Sequence, residues 1–183
     1  MAVVKCEFST ASFSAGERRV SKGNRQTTEL GVLLGQTFES VILLEQFPRA
    51  SIDIHVQVIQ SDGGVLSVAT NATTLALIDA GIPMRDFVVA CAASFVEGVT
   101  LNDPNYIENS IGGPYMPLAL MPTSNKVVLL QMDDTLHLDH FAELLEMAKK
   151  GCLAIFEILR TEVKEYAVQL VEARGGTRGG GGV

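Results

Sequence analysis

The stretch "SIDIHVQVIQSDGGVLSVATNATTLALIDAG", Ser51 to Gly81, places a strand, a glycine turn and a helix in immediate succession. Apolar and polar residues alternate up to Val58, so the pattern predicts a strand with one buried face. The turn Asp62–Gly64 follows, and the small residues after it favour a helix that packs closely on a sheet and ends at Gly81. This order predicts a fold built from layers of sheet and helix.

The rest of the chain continues the alternation of strands and helices. The long last helix contains Gly151, which would either kink it or admit a close neighbour. The complete order predicts an α+β or α/β sandwich of layers rather than an all-helical or all-β protein. The predicted elements are a short strand at 3–8, a helix at 28–46 ended before Pro48, a buried strand at 86–98, paired strands at 115–122 and 126–133 joined by a turn at 123–125, and an amphipathic helix at 138–173.

Composition is that of a globular protein that buries a core. Of 183 residues, 47% are hydrophobic and 19% charged. No apolar run is long enough to span a bilayer and no signal-peptide pattern is present, so we expect a soluble intracellular protein. One domain is expected over residues 1–173, followed by a disordered glycine-rich tail at 174–183. The net charge of -7 argues against a general nucleic-acid binder.

Two local patterns allow more than one interpretation. "GERRVSKGNRQ" brings together Arg18, Arg19, Lys22 and Arg25, which form either a polyanion-contacting loop or a solvated basic loop. The glycine turn is either an anion site at a helix start or a plain strand-to-helix turn. It matches neither G-x-G-x-x-G nor the P-loop pattern, which excludes those nucleotide-binding motifs.

Other chemically capable residues carry weaker signals. His137 and His140 are spaced as metal ligands on a helix, but no third ligand is evident nearby, so they are interpreted as surface residues. Asp133 and Asp134 are candidate acid/base groups or solvated turn residues. The three cysteines, Cys6, Cys91 and Cys152, lack a C-x-x-C spacing and are interpreted as buried free thiols. The sequence assigns no metal and no cofactor.

Six segments of the chain form a recognisable ordered set: "CEFSTASFSAGERR", "NRQTTELG", "QTFES", "SIDIHVQVIQSDGG", "NATTLALIDAGIPMRDFV" and "LLQMD". "DAGIPMRD" is the most specific signature within them. Taken together, these segments resemble the RNase PH family, most closely its RNA exosome core subunits. The resemblance implies a ribosomal protein S5 domain 2-like β-α-β sandwich. It also implies phosphorolysis in active members, in which inorganic phosphate attacks the 3′-terminal phosphodiester of RNA.

Part of the active-site pattern is replaced in this chain. In active members the residues after the glycines resemble Thr-Arg-Ser, whereas here Leu66 stands at the arginine position. The resemblance therefore leaves Gly63, Gly64 and Ser67 as a vestigial phosphate site. Leucine cannot form the bidentate phosphate contacts of a guanidinium. In "PNYIENSIGGPYM", Asn109 and Tyr115 occupy the two catalytic aspartate positions. Neither is an effective acid or base near neutral pH, so the resemblance predicts no catalytic residues.

The resemblance also implies partners. Exosome members form a hetero-hexameric ring of RNase PH-like subunits with cap subunits, through which single-stranded RNA passes. Arg18, Arg19, Lys22 and Arg25 would then contact RNA along that path. No membrane association is expected, and the expected locations are the nucleus, nucleolus and cytoplasm. The family begins with further strands that have no counterpart here, so the first sheet is expected to lack its first strands.

The resulting hypothesis is a non-catalytic ring subunit of the exosome core that supports 3′-to-5′ RNA processing and degradation. The first alternative is a phosphorolytic exoribonuclease with residual activity, since Asp103 is retained. The second is a truncated paralogue that does not assemble. The replaced active-site positions favour the non-catalytic ring subunit.

Overall fold

Six strands and four α-helices make up the part of the chain that the computed structural model describes, residues 2–14 and 25–173. This content and order confirm the predicted α+β class. A short 3₁₀ turn, Leu44–Gln46, lies between the first helix and the second strand. The elements are β1 (Val3–Thr10), α1 (Arg25–Val41), β2 (Ser51–Val58), α2 (Val65–Asp79), β3 (Val89–Val96), β4 (Val99–Asn102), α3 (Tyr106–Ser110), β5 (Tyr115–Met121), β6 (Lys126–Leu130) and α4 (Leu138–Ala173).

Two sheets enclose the helices α1 and α2. Strands β1 and β2 run parallel, with Val3 opposite Ser51 and Thr10 opposite Val58. Parallel neighbours need a crossover connection, and here the crossover contains α1. The second sheet is antiparallel, in the order β4-β3-β5-β6.

Strand β3 separates two hydrophobic cores. Ala90 faces the first core, where α1 and α2 pack between the two sheets around Leu34 and Phe38. Cys91, the next residue of β3, faces the second core, where α4 covers the four-stranded sheet around Leu144. Successive strand residues point to opposite faces, so one fully buried strand supplies both cores. The layers are therefore β1–β2, α1 with α2, the four-stranded sheet, and α4.

Polar contacts fix α2 and the β5–β6 turn. The Asn71 amide donates to the Ala90 carbonyl at 2.9 Å, and the Ala90 N–H donates back to Asn71 Oδ1 at 2.8 Å. The Asp86 carboxylate accepts from the N–H of Thr123 at 3.0 Å and from the N–H of Ser124 at 3.2 Å. Asp86 therefore fixes the turn between β5 and β6, which gives the end of "DAGIPMRD" a structural role.

The helix predicted at 28–46 is wrong at its end, because α1 stops at Val41. Ile42 forms an antiparallel bridge with Met84, and the Leu43 N–H donates to the Pro83 carbonyl. The Arg85 N–H donates to the Val41 carbonyl at 3.0 Å. These long-range partners satisfy backbone groups that another helical turn would have used.

The other predicted elements are present, within a few residues. The helix α2 ends at Asp79, and Gly81, the predicted stop, follows its C-cap with a φ of +70°. The Gly81 N–H donates to the Ile78 carbonyl while the Ile82 N–H donates to Leu77, the pattern of a Schellman motif. Strand β4 and the five-residue helix α3 were not predicted. None of the helices within residues 2–14 and 25–173 combines the length and the apolar character needed to cross a bilayer.

Candidate functional site

A cavity of about 490 Å³ lies beside the glycine turn between β2 and α2, and we call it the turn pocket. The turn contributes Gly63 and Gly64, and the first turn of α2 contributes Val65 and Leu66. The start of α1, the helix α3, and the facing ends of β5 and β6 form the other walls. Segments far apart in the sequence therefore meet at this turn.

Close packing accounts for the two glycines. Gly63 has φ +126°, and a Cβ placed there would lie 2.5 Å from the Pro104 carbonyl oxygen. Gly64, at the N-cap of α2, has φ +58° and lies against the Asp103 carboxylate, whose Oδ1 would be 3.1 Å from an added Cβ. A residue with a side chain fits poorly in either backbone conformation. The turn thus needs glycine for its packing on residues 103–105, with or without a bound anion.

Leu66 and Ser67 extend from this turn into the interior. Leu66 lines the turn pocket and belongs to the first hydrophobic core, with 5% of its surface exposed. Ser67 is also buried, but it does not line the turn pocket. Its Oγ has no hydrogen-bond partner among the residues that the structure describes. Of the three residues predicted as a phosphate remnant, the two glycines reach the cavity and Ser67 does not.

Asn109 and Tyr115, the two replaced catalytic positions, both line the turn pocket. Asn109 lies near the end of α3, which is started by a capping box between Asn105 and Glu108. Burial first, and then the charge of Asp133, raise the pKa of Tyr115 to about 12. A phenol with such a pKa keeps its proton near neutral pH and cannot act as a base.

Two carboxylates in the turn pocket were not predicted as a pair. Glu29 reaches it from α1, and Asp133 reaches it from beyond the end of β6. Burial, followed by the nearby charge of Glu29, raises the pKa of Asp133. Asp133, a candidate acid/base group or turn residue, lines the cavity, and its N–H donates to the Tyr115 carbonyl at 3.2 Å. Glu29 lies within "NRQTTELG", a segment quoted for the family resemblance.

Of the four basic residues predicted to contact RNA, the structure describes Arg25. Arg18, Arg19 and Lys22 lie outside the described residues. Arg25 is exposed at the first position of α1, next to Gln26, which lines the turn pocket. Arg25 itself does not line the cavity.

The histidines and the buried cysteines make contacts that belong to the fold. His140 stacks on Phe95 with ring centroids 4.6 Å apart, and His137 pairs with Asp139 at 3.1 Å. Within the described ranges, no three His, Cys, Asp or Glu side chains are grouped as metal ligands. Cys91 and Cys152 are buried free thiols, as predicted, and burial raises their pKa values to about 11 and about 12. Such thiols carry little reactive thiolate. Cys6 is a free thiol that is only half-buried, so the prediction of burial is wrong for it.

Comparison with known proteins shows to which family the chain belongs. Over 174 residues the chain is 48% identical to exosome complex component RRP41 of Mus musculus, covering 92% of this chain and 71% of that protein. Over 175 residues it is 39% identical to exosome complex component Rrp41 of the archaeon Thermococcus onnurineus strain NA1, covering 96% and 70%. Residues 2–83 match the 3′ exoribonuclease family, domain 1, RNase PH, and residues 86–151 match its domain 2. The chain belongs to the RNase PH family.

The RNase PH fold is seen directly in a solved structure. The crystal structure of rice (Oryza sativa) Rrp46 superposes with a TM-score of 0.76 at 22% identity, covering 88% of this chain and 73% of that one. At this identity the likeness concerns the fold. The predicted sandwich of the RNase PH family is thereby confirmed, and the turn pocket lies at the strand-to-helix turn of its first domain, where it meets the second.

Proposed function

We propose that this RNase PH-family chain is a non-catalytic ring subunit of the RNA exosome core. The observation that carries the proposal is the wall of the turn pocket. Leu66, Asn109 and Tyr115 stand together there, where the family resemblance places a phosphate-binding arginine and two catalytic aspartates. Phosphorolysis requires an anchored phosphate and groups that transfer protons, and these three side chains supply neither.

The proposed RNA contact rests on the basic residues that precede and begin α1 in the sequence. Arg25 is exposed at the start of α1, and Arg18, Arg19 and Lys22 precede it in the sequence. Arginine and lysine side chains contact phosphates without reading bases, which suits a subunit that guides RNA of any sequence.

Assembly is tested by affinity purification of the tagged chain from its own cells, with the partners identified by mass spectrometry. We expect the other RNase PH-like and cap subunits in comparable amounts. Recovery of the chain alone, or with chaperones only, would contradict a ring role and favour a paralogue that does not assemble.

Catalysis is tested on the purified ring with single-stranded RNA and inorganic phosphate. We expect no phosphate-dependent release of nucleoside diphosphates that depends on this chain. The second candidate, a residual phosphorolytic exoribonuclease, is favoured by Asp103, which lies against Gly64 at the pocket. Nucleoside diphosphate release that D103A abolishes would establish that candidate and sink the non-catalytic one.

RNA contact is tested by the salt dependence of binding to the assembled ring. Each lost phosphate contact reduces the slope of log K against log salt by about 0.7 for a single strand. We expect R25A to reduce the slope by about that amount. R160A, which removes an exposed arginine on α4, is the matched control and should leave it unchanged. Equal slopes for both variants would remove Arg25 from the RNA path.

A further inference from the structure

The turn pocket has a negative charge that does not suit an anion. Glu29 and Asp133 both line it, and among its described lining residues there is no lysine, arginine or histidine. Asp103 adds a third carboxylate behind Gly64. A phosphate placed here would meet carboxylates and apolar side chains, so the cavity favours a ligand of the opposite sign.

The other walls argue against a hydrated metal ion. Leu30, Leu33, Val65, Leu66 and Pro117 give the cavity an apolar side. Magnesium keeps several waters and prefers an oxygen-rich shell. No group of three metal-ligating side chains exists in residues 2–14 and 25–173. An organic cation, which buries an apolar stem and keeps its charge near carboxylates, suits both sides of the cavity.

The polar side chains favour a planar cation with several N–H donors. Gln26 and Gln131 line the cavity together with the two carboxylates, so its lining includes amide oxygens that can accept hydrogen bonds. Tyr106 and Tyr115 add aromatic rings. A guanidinium pairs with carboxylates through parallel N–H groups and stacks on aromatic faces, which a compact ammonium does less well. The volume of about 490 Å³ lies within the usual range of small-ligand sites.

We propose that the turn pocket is a binding site for a guanidinium group, held by Glu29 and Asp133 at its polar end. The ligand is an arginine side chain of another protein or free arginine, and both present the same group. The described residues that line the pocket all belong to this chain, so binding can be measured on the purified chain.

The test is a titration of the purified chain followed by two-dimensional amide NMR and calorimetry. The probes are Nα-acetyl-arginine methylamide and its citrulline analogue, which has nearly the same shape but no charge. We expect the arginine probe to bind at least tenfold more tightly and to shift the amide signals of Gly63, Gly64 and Tyr115. Equal binding of both probes, or no binding of either, would overturn the proposal, as would displacement of the arginine probe by inorganic phosphate.

Variants locate the site. E29Q removes one of the two charges and should weaken arginine binding roughly threefold to tenfold. E39Q makes the same change at an exposed position of α1 that does not line the pocket, and it should have no effect. Equal effects of the two variants would overturn the proposal. Both positions are exposed, so both variants should fold, which a thermal melt checks.

A last comparison distinguishes the two sources of the ligand. Tighter binding of a blocked Gly-Gly-Arg-Gly-Gly peptide than of free arginine indicates a side chain carried by a protein. Tighter binding of free arginine indicates the amino acid itself. Since ring membership is measured separately by co-purification, a failure of this titration leaves the proposed function standing.

Discussion

Gly63 shows how one backbone position determines the shape of the turn pocket. Its φ of +126° disfavours any L side chain, and a Cβ would come within 2.5 Å of the Pro104 carbonyl oxygen. Gly81 shares the positive φ, at +70°, but has nothing within 4 Å of the same added atom. Alanine substitutions at the two glycines therefore distinguish the cost of a left-handed backbone conformation from the cost of a steric clash.

We expect G81A to lower the free energy of unfolding by about 1 kcal/mol, the cost of a left-handed conformation. G63A should cost more than about 2 kcal/mol, because residues 103–105 must also move. Urea unfolding followed by circular dichroism measures both. Equal losses would show that residues 103–105 yield freely, and the packing account of the turn would then be wrong.

Asp133 predicts a pH dependence whose sign follows from its raised pKa. Burial, then Glu29, raises the pKa above the ordinary value of 3.8, so the folded state holds this proton more tightly than the unfolded state. The stability contributed by that proton is complete below the unfolded pKa and is lost as pH rises through the folded pKa. Above the folded pKa, the ionised Asp133 therefore lowers the free energy of unfolding relative to an uncharged side chain.

D133N should therefore unfold at a higher urea concentration than the natural chain at pH 7. The advantage should shrink as the pH is lowered toward 3.8. E165Q, the loss of an exposed carboxylate on α4, is the control and should show no such convergence. An advantage of D133N that grows on acidification would contradict the raised pKa.

At the scale of elements, two helical glycines have opposite expected effects. In α4, a Cβ on Gly151 would lie 2.6 Å from Cys91 Sγ and 2.6 Å from Asn102 Oδ1, so this glycine lets α4 approach the sheet closely. In α1, a Cβ on Gly35 would meet only the Cys6 Cβ, at an ordinary 3.6 Å. Of the two roles predicted for Gly151, close approach is the one seen.

G35A should raise the free energy of unfolding by about 0.5 to 1 kcal/mol, the gain in helix propensity. G151A has the same intrinsic gain but should be destabilising by about 1 to 3 kcal/mol, the usual cost of overpacking. Urea titrations of the two variants give the comparison. A stabilising G151A would mean that α4 can shift outward without loss.

Local patterns predicted the long and periodic elements and failed where distant partners decide. The alternation around Ile54 predicted β2, and the apolar stripe predicted α4, since each element follows its own periodicity. The end of α1 was wrong because Met84, far along the chain, pairs with Ile42. Strand β4 and helix α3 are short, and their boundaries depend on pairing with β3 and on a capping box.

The candidate site was predicted in the same partial way. Leu66, Asn109 and Tyr115 came from matching segments to a family, and they do line one cavity. Glu29 and Asp133 were not connected, because only the packing of α1 against the four-stranded sheet brings them together. No spacing between residues in the sequence predicts that Glu29 and Asp133 lie near each other.

At the scale of the whole molecule, the two family domains share their interior. The first domain match ends at residue 83 and the second begins at residue 86. The first core nevertheless includes Ala90 and Leu129 from the second domain, packed against α1 and α2. Strand β3 also faces the second core through Cys91. The first core therefore buries apolar surface from both family domains, and we expect the described residues to unfold as one cooperative unit.

This sharing predicts one unfolding transition, which two core variants test. L34A opens the first core and L118A the second, at side chains that are 1% and 0% exposed. Each should lower the free energy of unfolding by about 2 to 5 kcal/mol, since a buried leucine is lost and a cavity remains. In both variants, urea curves from far-ultraviolet circular dichroism and tyrosine fluorescence should coincide, because β3 transmits the loss on one face to the other. A biphasic curve for L118A, with the signal of β1, β2 and α1 surviving to higher urea, would mean that the first core stands alone and that the shared strand does not couple the domains.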